Sequence, residues 1–510
     1  MTDVEFFLVL LIAIAGLARL AGALNVPYPV LLVVGGLAIG FIPGVPRIEL
    51  KPDLVLLIFL PPLVYHAAFL SSPRALRAQA RDVALLSIGL VLATLVTVAV
   101  AAHELVGHLT WPEAFVLGAI VAPTDPLAAT AVFQRLGAPD RLTTVVEGES
   151  LINDGTGLVA FRVALTAVAT GMFSFAHAAE SFVAASLGGI AIGIAAGFIV
   201  QQVRARLDDP PVEITISLFT PYLAYLPADH LGASGVLAAV AAGLFLAYRA
   251  PAGLFHVSTR LQAYAFWNVL VFLLNSVLFV LVGLQVKPVL SALGSHTTGF
   301  LVGSAVLVTI VVVLTRIAWM FIAGGLARSV GERVVIAWSG MRGAVSLAAA
   351  LSVPLSAHGR PLILFLTYGV IVGTIIPQGL TLPAVVRRFA PEDTDESDAR
   401  EEQARLEAVR AALDRLSTLE GERDVPQEAL DEARRRYELR LRHLTADGTG
   451  EHAIVPAARG IQRELAEVER DALHRLSQDG RLDTATARRL ERELDLQDAR
   501  WGELDHSSSG

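Results

Sequence analysis

The chain has 510 residues, of which 54% are hydrophobic and only 17% are charged, and it contains no cysteine. The absence of cysteine excludes disulfide bonds, thiolate metal sites and cysteine nucleophiles. The formal net charge of −8 does not support nucleic-acid binding, which requires basic surfaces.

The charged residues divide the chain at about residue 390. Residues 1–389 hold 21 Lys and Arg against 18 Asp and Glu, whereas residues 390–510 hold 19 against 30. Sparse charge in the first region indicates a lipid environment, and dense charge in the second indicates water. We therefore predict a transmembrane domain at 1–389 and a cytosolic helical domain at 390–510, where apolar residues recur at helical spacing around 401–419 and 461–478.

Apolar runs in the first region are long enough to cross a membrane as helices, since a span needs about 20 mostly apolar residues. The first run follows Asp3 and Glu5 rather than a basic segment, so we interpret it as a retained span and not as a signal peptide. Thirteen candidate spans lie at roughly 4–21, 29–42, 53–70, 82–105, 111–136, 142–170, 178–202, 212–227, 232–248, 262–286, 298–325, 333–354 and 361–386.

The connecting segments differ in basic charge. Fourteen arginines fall in alternate connections, and the opposite connections hold only Arg47, Lys51, Lys287 and Arg360. Cytoplasmic loops are enriched in Lys and Arg. The thirteen-span reading therefore predicts an amino terminus outside the cell and a tail in the cytoplasm.

The fifth span contains "APTDPLAAT", Ala122 to Thr130. Pro123 and Pro126 lack backbone N–H groups and clash with the preceding turn, so they predict an unwound segment at Thr124 and Asp125. Such a break frees carbonyl groups that could coordinate a cation beside a carboxylate. A proline kink with an incidental aspartate is the alternative interpretation.

The sixth span contains "EGESLINDGTGLV", with Glu147, Glu149 and Asp154 inside eight residues. Ser150 and Asp154 share one helical face, and Glu149 and Asn153 share the neighbouring face. We expect Ser150 and Asp154 to present oxygens to a cavity, and the amide of Asn153 to donate to Glu149. A purely structural helix with a buried ion pair is the alternative.

The twelfth span contains "WSGMRGAVSLAAA", in which Gly340 and Gly343 flank Arg342. Two interrupted helices in separate halves of a chain are typical of transporters built from inverted repeats, whose broken ends meet at the substrate site. Arg342 would offset the negative ends of the broken helices. Arg316, in the eleventh span, would be a permanent partner for a buried acid.

Three arginines and three of the carboxylates inside the predicted spans suggest mutual compensation, because charge is costly at membrane depth. These residues are Arg162, Arg316, Arg342, Asp125, Glu149 and Asp154. His66, in "LPPLVYHAAF", is either a packed residue or part of an ion pathway.

Five segments together resemble the monovalent cation:proton antiporter-1 family, which includes bacterial and animal sodium/proton exchangers. They are "LPPLVYHAAF", "APTDPLAAT", "EGESLINDGTGLV", "TPYLAYLPADHLGASGVLAAVAAGL" and "GMRGAVSLAAAL", and the resemblance covers residues 4–389. It implies an all-α polytopic membrane protein with thirteen helices in two inverted repeats. It also implies a homodimer in which a core domain moves against a dimerisation domain.

The resemblance further implies roles for individual residues. Asp154 would bind the ion and the proton, with Asp125, Thr124 and Ser150 helping to hold the cation. Asn153 would be structural, and Glu149 would pair with Arg316 or, as a second choice, with Arg342. His66 departs from the family, because many members have a carboxylate or its amide there.

The implied function is secondary active exchange of Na⁺ for H⁺ by alternating access, with no enzymatic activity and no cofactor. Because Asn153, and not a second carboxylate, precedes Asp154, we expect exchange of one cation for one proton. One carboxylate can hold a proton or a cation but not both, and no ATP-binding motif is present. A sodium-coupled symporter of an organic solute and a membrane ion sensor are the alternatives. Preference among Na⁺, Li⁺ and K⁺, the pH optimum and the role of the tail stay open.

Overall fold

A computed structural model describes residues 3–24, 26–43, 52–170, 175–207, 209–249, 257–292, 297–323, 329–354, 356–390, 396–422 and 427–445. Regular structure in these residues is helical throughout, as predicted. The first helices are α1 (Asp3–Leu24), α2 (Tyr28–Phe41), α3 (Pro52–Leu70), α4 (Pro73–Ala78), α5 (Ala80–Ala84), α6 (Val91–Val100), α7 (Trp111–Val121), α8 (Leu127–Leu136), α9 (Asp140–Thr170) and α10 (Phe175–Arg204). They are followed by α11 (Pro210–His230), α12 (Gly235–Arg249), α13 (Val257–Ala292), α14 (Thr298–Ile322), α15 (Val330–Trp338), α16 (Ala344–Leu351), α17 (Arg360–Phe389), α18 (Glu396–Glu422) and α19 (Gln427–Thr445).

The chain forms two compact units, Met1–Glu392 and Asp393–Gly510. In the second unit, α18 and α19 pack against each other, and each contributes a buried aliphatic side chain, Val409 and Leu430. The amphipathic pattern at 401–419 lies within α18. The pattern at 461–478 lies outside the described residues.

Six helices in the described part of the first unit are long and apolar enough to cross a membrane. They are Ala80–Val106, Asp140–Thr170, Ala178–Arg204, Thr259–Gln285, Thr298–Ile322 and Arg360–Phe389. In the first of them, one π-helical segment, Leu85–Leu90, joins α5 to α6, and a second, Ala101–Val106, extends α6. Shorter apolar helices, among them α2, α7 and α12, fall below that length. The count of thirteen spans therefore stays a prediction.

Two of the predicted spans are interrupted where their sequences indicated. The fifth is divided into α7 and α8 around Pro123 and Pro126, and the twelfth into α15 and α16 around Arg342. Both first halves begin in the same way, since a capping box formed with Glu113 starts α7 and one formed with Glu332 starts α15. Each box satisfies backbone N–H groups that the first turn leaves unpaired.

Apolar side chains from four helices pack around the two interruptions. Leu117 of α7, Val146 of α9, Ile336 of α15 and Ile371 of α17 belong to one buried cluster, and each is at most 3% exposed. Lipid chains are as apolar as these side chains, so close packing, and not exclusion of water, holds such helices together. This packing fixes the interruptions beside α9.

Candidate functional site

The two interrupted segments are joined by hydrogen bonds in both directions. The backbone N–H of Asp125 donates to the carbonyl oxygen of Met341 at 2.8 Å. In return, Nε of Arg342 donates to the carbonyl oxygen of Val121 at 2.8 Å. The unwound backbone is thereby satisfied inside the protein, as a membrane interior requires.

Small residues let the segments approach this closely. A Cβ atom added at Gly343 would overlap the carboxylate of Asp125, and one added at Gly157 would overlap the ring of Pro123. Gly343 therefore brings α16 against the first interruption, and Gly157 brings α9 against it.

Arg342 is fully buried and binds the ends of two half-helices. Its guanidinium donates to the carbonyl oxygen of Val121, the last residue of α7, and to that of Gly340, just beyond α15. The backbone N–H of Arg342 donates a hydrogen bond to the hydroxyl of Thr374 at 3.1 Å. The positive charge thus lies at two carboxyl-terminal helix ends, where the helix dipoles are negative.

Glu149 and Arg316 form a buried, two-pronged ion pair, and each residue is 1% exposed. Nη2 of Arg316 donates to Oε2 of Glu149 at 2.8 Å, and Nη1 donates to Oε1. Nε and Nη2 of Arg316 also donate to the carbonyl oxygen of Ile336. Arg316, and not Arg342, is therefore the partner of Glu149.

Thr124 connects this ion pair to the first interruption. Nδ2 of Asn153 donates to Oγ1 of Thr124 at 2.8 Å, and that hydroxyl donates to Oε1 of Glu149 at 3.0 Å. Ser150 donates to the carbonyl oxygen of Thr124 at 3.0 Å. The prediction that Asn153 donates directly to Glu149 is wrong, because the Thr124 hydroxyl lies between them.

Asp154 lies on α9, as Glu149 does, but its environment is different. It is 7% exposed, and in the part of the chain that the structure describes its carboxylate has no hydrogen-bond or ion-pair partner. The charge of Asp125 interacts with it electrostatically. Asp125 itself accepts a hydrogen bond from the N–H of Leu127 at 3.0 Å, in the first turn of α8.

The three intramembrane arginines have different partners. Glu149 is paired with Arg316. Arg162 forms an ion pair with Asp229 instead, at a partly exposed position. Arg342 binds backbone carbonyl groups, as described above.

Asp154 and Asp125 are the two carboxylates here that could hold a cation. Three or more His, Cys, Asp or Glu residues do not converge anywhere in the described part of the chain. The ring of His66 stacks on that of Trp267, with the ring centroids 5.0 Å apart. Its place on an ion pathway stays a prediction.

The sequence did not single out Tyr28 or Thr374, because an isolated tyrosine or threonine in an apolar span carries no recognisable pattern. Tyr28 interacts electrostatically with Asp125. It also lines a cavity of about 250 Å³ between α1, α2, α8 and α17, together with Val132 and Pro383. This cavity is large enough for several water molecules.

Comparison with known proteins gives a consistent result. The family described as "Sodium/hydrogen exchanger, transmembrane" matches residues 8–388. The chain is 36% identical to the "Uncharacterized Na(+)/H(+) exchanger Rv2287" of Mycobacterium tuberculosis, over 97% of this chain and 96% of that protein. It is 34% identical to the "Na(+)/H(+) antiporter ApNhaP" of Aphanothece halophytica, over 81% of this chain and 80% of that one.

A solved structure has the same fold. The sodium proton antiporter MjNhaP1 from Methanocaldococcus jannaschii aligns with a TM-score of 0.61 at 23% identity. The alignment covers 76% of this chain and 98% of MjNhaP1.

Proposed function

The chain belongs to the sodium/hydrogen exchanger family, and from that premise we propose that it exchanges one Na⁺ for one H⁺ at a single carboxylate, Asp154. The family consists of transporters and not of enzymes, and the chain is a multi-pass protein of the cell membrane that exchanges Na⁺ for H⁺.

The contrast between Glu149 and Asp154 carries the assignment of the site. Glu149 is held by Arg316 and by Thr124, so its charge is neutralised permanently. Asp154 is almost as deeply buried but has no partner in the described part of the chain. An unpartnered carboxylate at membrane depth is costly unless a proton or a cation neutralises it. Asp154 is therefore the group whose occupant alternates.

The number of charges around the interruptions supports one-for-one exchange. Asp125, Glu149 and Asp154 contribute three negative charges, and Arg316 and Arg342 contribute two positive charges. One Na⁺ or one H⁺ brings this group to neutrality, so both loaded states carry the same net charge. The empty site keeps an uncompensated charge, which disfavours its passage across the low-dielectric interior and couples the two fluxes.

The cation ligands we propose are Asp154 and Asp125, with Ser150 and Thr124 in support. The Ser150 hydroxyl donates its proton to the carbonyl oxygen of Thr124, so the lone pairs of the Ser150 oxygen can bind a cation. The Thr124 hydroxyl is already bonded to both Asn153 and Glu149, so its main contribution is to hold the interruption in place. Arg342 balances the negative helix ends beside the cation.

Na⁺ is the cation we propose first, with Li⁺ and K⁺ as competitors at the same oxygens. Hard cations of different size are distinguished by the size and rigidity of the cavity. The packing of Gly343 against Asp125 narrows the space beside the carboxylates, which supports a small, dehydrated ion.

The arrangement in the membrane is also part of the proposal. The arginine distribution supports an amino terminus outside and a tail in the cytoplasm. The shared plan of α7 and α15, each starting with a capping box and ending at an interruption, supports thirteen spans in two inverted repeats. The homodimer rests on the family resemblance, and a mass measurement of the intact protein that gave only monomers would contradict it.

Radiolabelled Na⁺ uptake into proteoliposomes, driven only by a pH step, tests the proposed function. We expect uptake by the wild type and none by Asp154→Asn. A matched control is Asp209→Asn, because Asp209 is exposed and makes no side-chain hydrogen bond at the start of α11. Uptake that required an added organic solute would support the symporter instead.

A further inference from the structure

One face of α9 is polar and partly open over its first two turns. This polar face consists of Asp140, Thr143, Thr144 and Glu147, at positions i, i+3, i+4 and i+7. Asp140 is exposed, and the other three are half-buried. The apolar side chains of these turns, Leu142, Val145 and Val146, are buried.

The polar face continues to the proposed ion site. Glu147 and Asp154 are seven residues apart, which on an α-helix is about 10 Å along the axis and about 20° around it. Ser150 lies between them on the same side. Asp140 is exposed and Glu147 is half-buried, whereas Ser150 and Asp154 are 6% and 7% exposed.

Glu147 carries a charge that the transport site described above does not use. In the described part of the chain it has no hydrogen-bond or ion-pair partner. The nearest arginine in sequence, Arg141, is bonded to Asp82 at 3.1 Å and to Glu332 at 2.9 Å. A half-buried, unpartnered carboxylate in a membrane helix is stable only where it contacts water or a mobile cation.

We propose that Glu147 is the access carboxylate of this exchanger, which attracts the transported cation to the polar face of α9 and passes it to Asp154. The inference rests on the proposed function of Asp154. Asp154 gives independent evidence that a cation binds at this face, because it is a deeply buried, unpartnered carboxylate at the inner end of the same face. The chemistry recognised is that of a small monovalent cation.

Electrostatics gives the size of the effect. A single charge about 10 Å from a site changes the local cation concentration by about twofold in a water-like dielectric and by about tenfold in a partly buried one. Removal of the Glu147 charge should therefore raise the apparent KM for Na⁺ by a factor of about two to ten. The maximal rate should not change, because Asp154 still binds and exchanges the ion.

The test compares Glu147→Gln, Glu147→Asp and the wild type for Na⁺-driven proton flux in proteoliposomes. We expect the KM for Na⁺ to rise about two- to tenfold in Glu147→Gln at unchanged maximal rate, and to return toward the wild-type value in Glu147→Asp. An impermeant salt such as choline chloride should shrink the difference by screening. Glu180→Gln, an exposed position on α10, is the matched control and should not change KM.

An unchanged KM in Glu147→Gln would overturn the inference while leaving Asp154 as the site. Exchange that persisted in Asp154→Asn would overturn the proposed function itself, so the two failures are distinguishable.

A second measurement uses the absence of cysteine from the chain. Thr144→Cys should react with a water-soluble, positively charged thiol reagent, whereas Val145→Cys on the buried face should not. An unreactive Thr144→Cys in protein that still exchanges Na⁺ would show that the polar face is not open to cations, and would contradict the inference.

Discussion

At the scale of single residues, the site depends on which carboxylate has a partner. Glu149 and Asp154 lie five residues apart on α9, so they point to different faces and meet different neighbours. Arg316 and Thr124 hold Glu149 in place, whereas Asp154 is the residue that we propose binds the transported ion. The two residues should therefore respond in opposite ways to neutralisation.

Glu149→Ala should destabilise the protein and Asp154→Asn should not. Loss of Glu149 leaves the buried Arg316 charge unpaired, at a cost of about 3–5 kcal/mol. Asp154→Asn removes a charge that has no partner, so its thermal unfolding temperature should equal or exceed that of the wild type. Thermal unfolding of the purified variants measures both effects. A stable Glu149→Ala protein that had lost only Na⁺ binding would make Glu149 a direct ligand and refute this division.

Thr124→Val tests the hydroxyl between Asn153 and Glu149. Valine keeps the shape of threonine but leaves the buried amide of Asn153 without its acceptor, which costs about 1–3 kcal/mol. Thr124→Ser keeps the hydroxyl and should restore most of the stability. The account predicts a lower unfolding temperature for the valine variant alone, and equal stability of the two variants would argue against a structural role for the hydroxyl.

At the scale of helices, the sequence predicted the features that depend on residues close together in the chain. Pro123 and Pro126 predicted the first interruption, and Gly340 and Gly343 the second, because these residues weaken a helix wherever it packs. The all-α class followed from the long apolar runs. Hydropathy could not establish the number of spans, since interrupted helices such as α7 are too short to qualify.

The contacts between helices could not be predicted from the sequence in the same way. Spacing along α9 put Asn153 next to Glu149, but it could not show that Thr124 from another helix comes between them. The sequence placed the charge of Arg342 at the negative ends of the broken helices. It could not show which carbonyl oxygens the guanidinium binds, and these are the ones of Val121 and Gly340.

Gly343→Ala tests the contact between the two interruptions. The added methyl group overlaps the Asp125 carboxylate, which must move. A displacement of about 1 Å at a reacting group can reduce rates by as much as a hundredfold, so we expect a tenfold or greater fall in Na⁺-driven proton flux. Gly299→Ala is the matched control, since nothing lies within 4 Å of its added Cβ. Wild-type flux in Gly343→Ala would show that the position of Asp125 does not matter.

At the scale of the whole molecule, the charge of the site determines how transport responds to voltage. Asp125, Glu149 and Asp154 against Arg316 and Arg342 leave one negative charge, which one Na⁺ or one H⁺ neutralises. Both loaded forms should then cross between the two sides with the same net charge. This predicts that the exchange moves no net charge per cycle.

A potassium diffusion potential across proteoliposomes checks this prediction. Each transported charge would experience about 2.3 kcal/mol per 100 mV, enough to change rates many-fold. We expect Na⁺-driven proton flux to be the same for both signs of the potential, with a protein-free liposome control for proton leak. A several-fold dependence on the sign would mean that the exchange moves net charge, and would contradict one-for-one exchange.

The most direct test of the account is the number of protons released for each Na⁺ that binds. Purified protein in weakly buffered detergent, at a pH where the site is protonated, is titrated with Na⁺ while a pH indicator records the protons released and radiolabelled Na⁺ records binding. Because one carboxylate holds either ion, the wild type should release about one proton per Na⁺ bound. Asp154→Asn should release none. Proton release of wild-type size from Asp154→Asn, or two protons per Na⁺ from the wild type, would contradict exchange at a single site on Asp154.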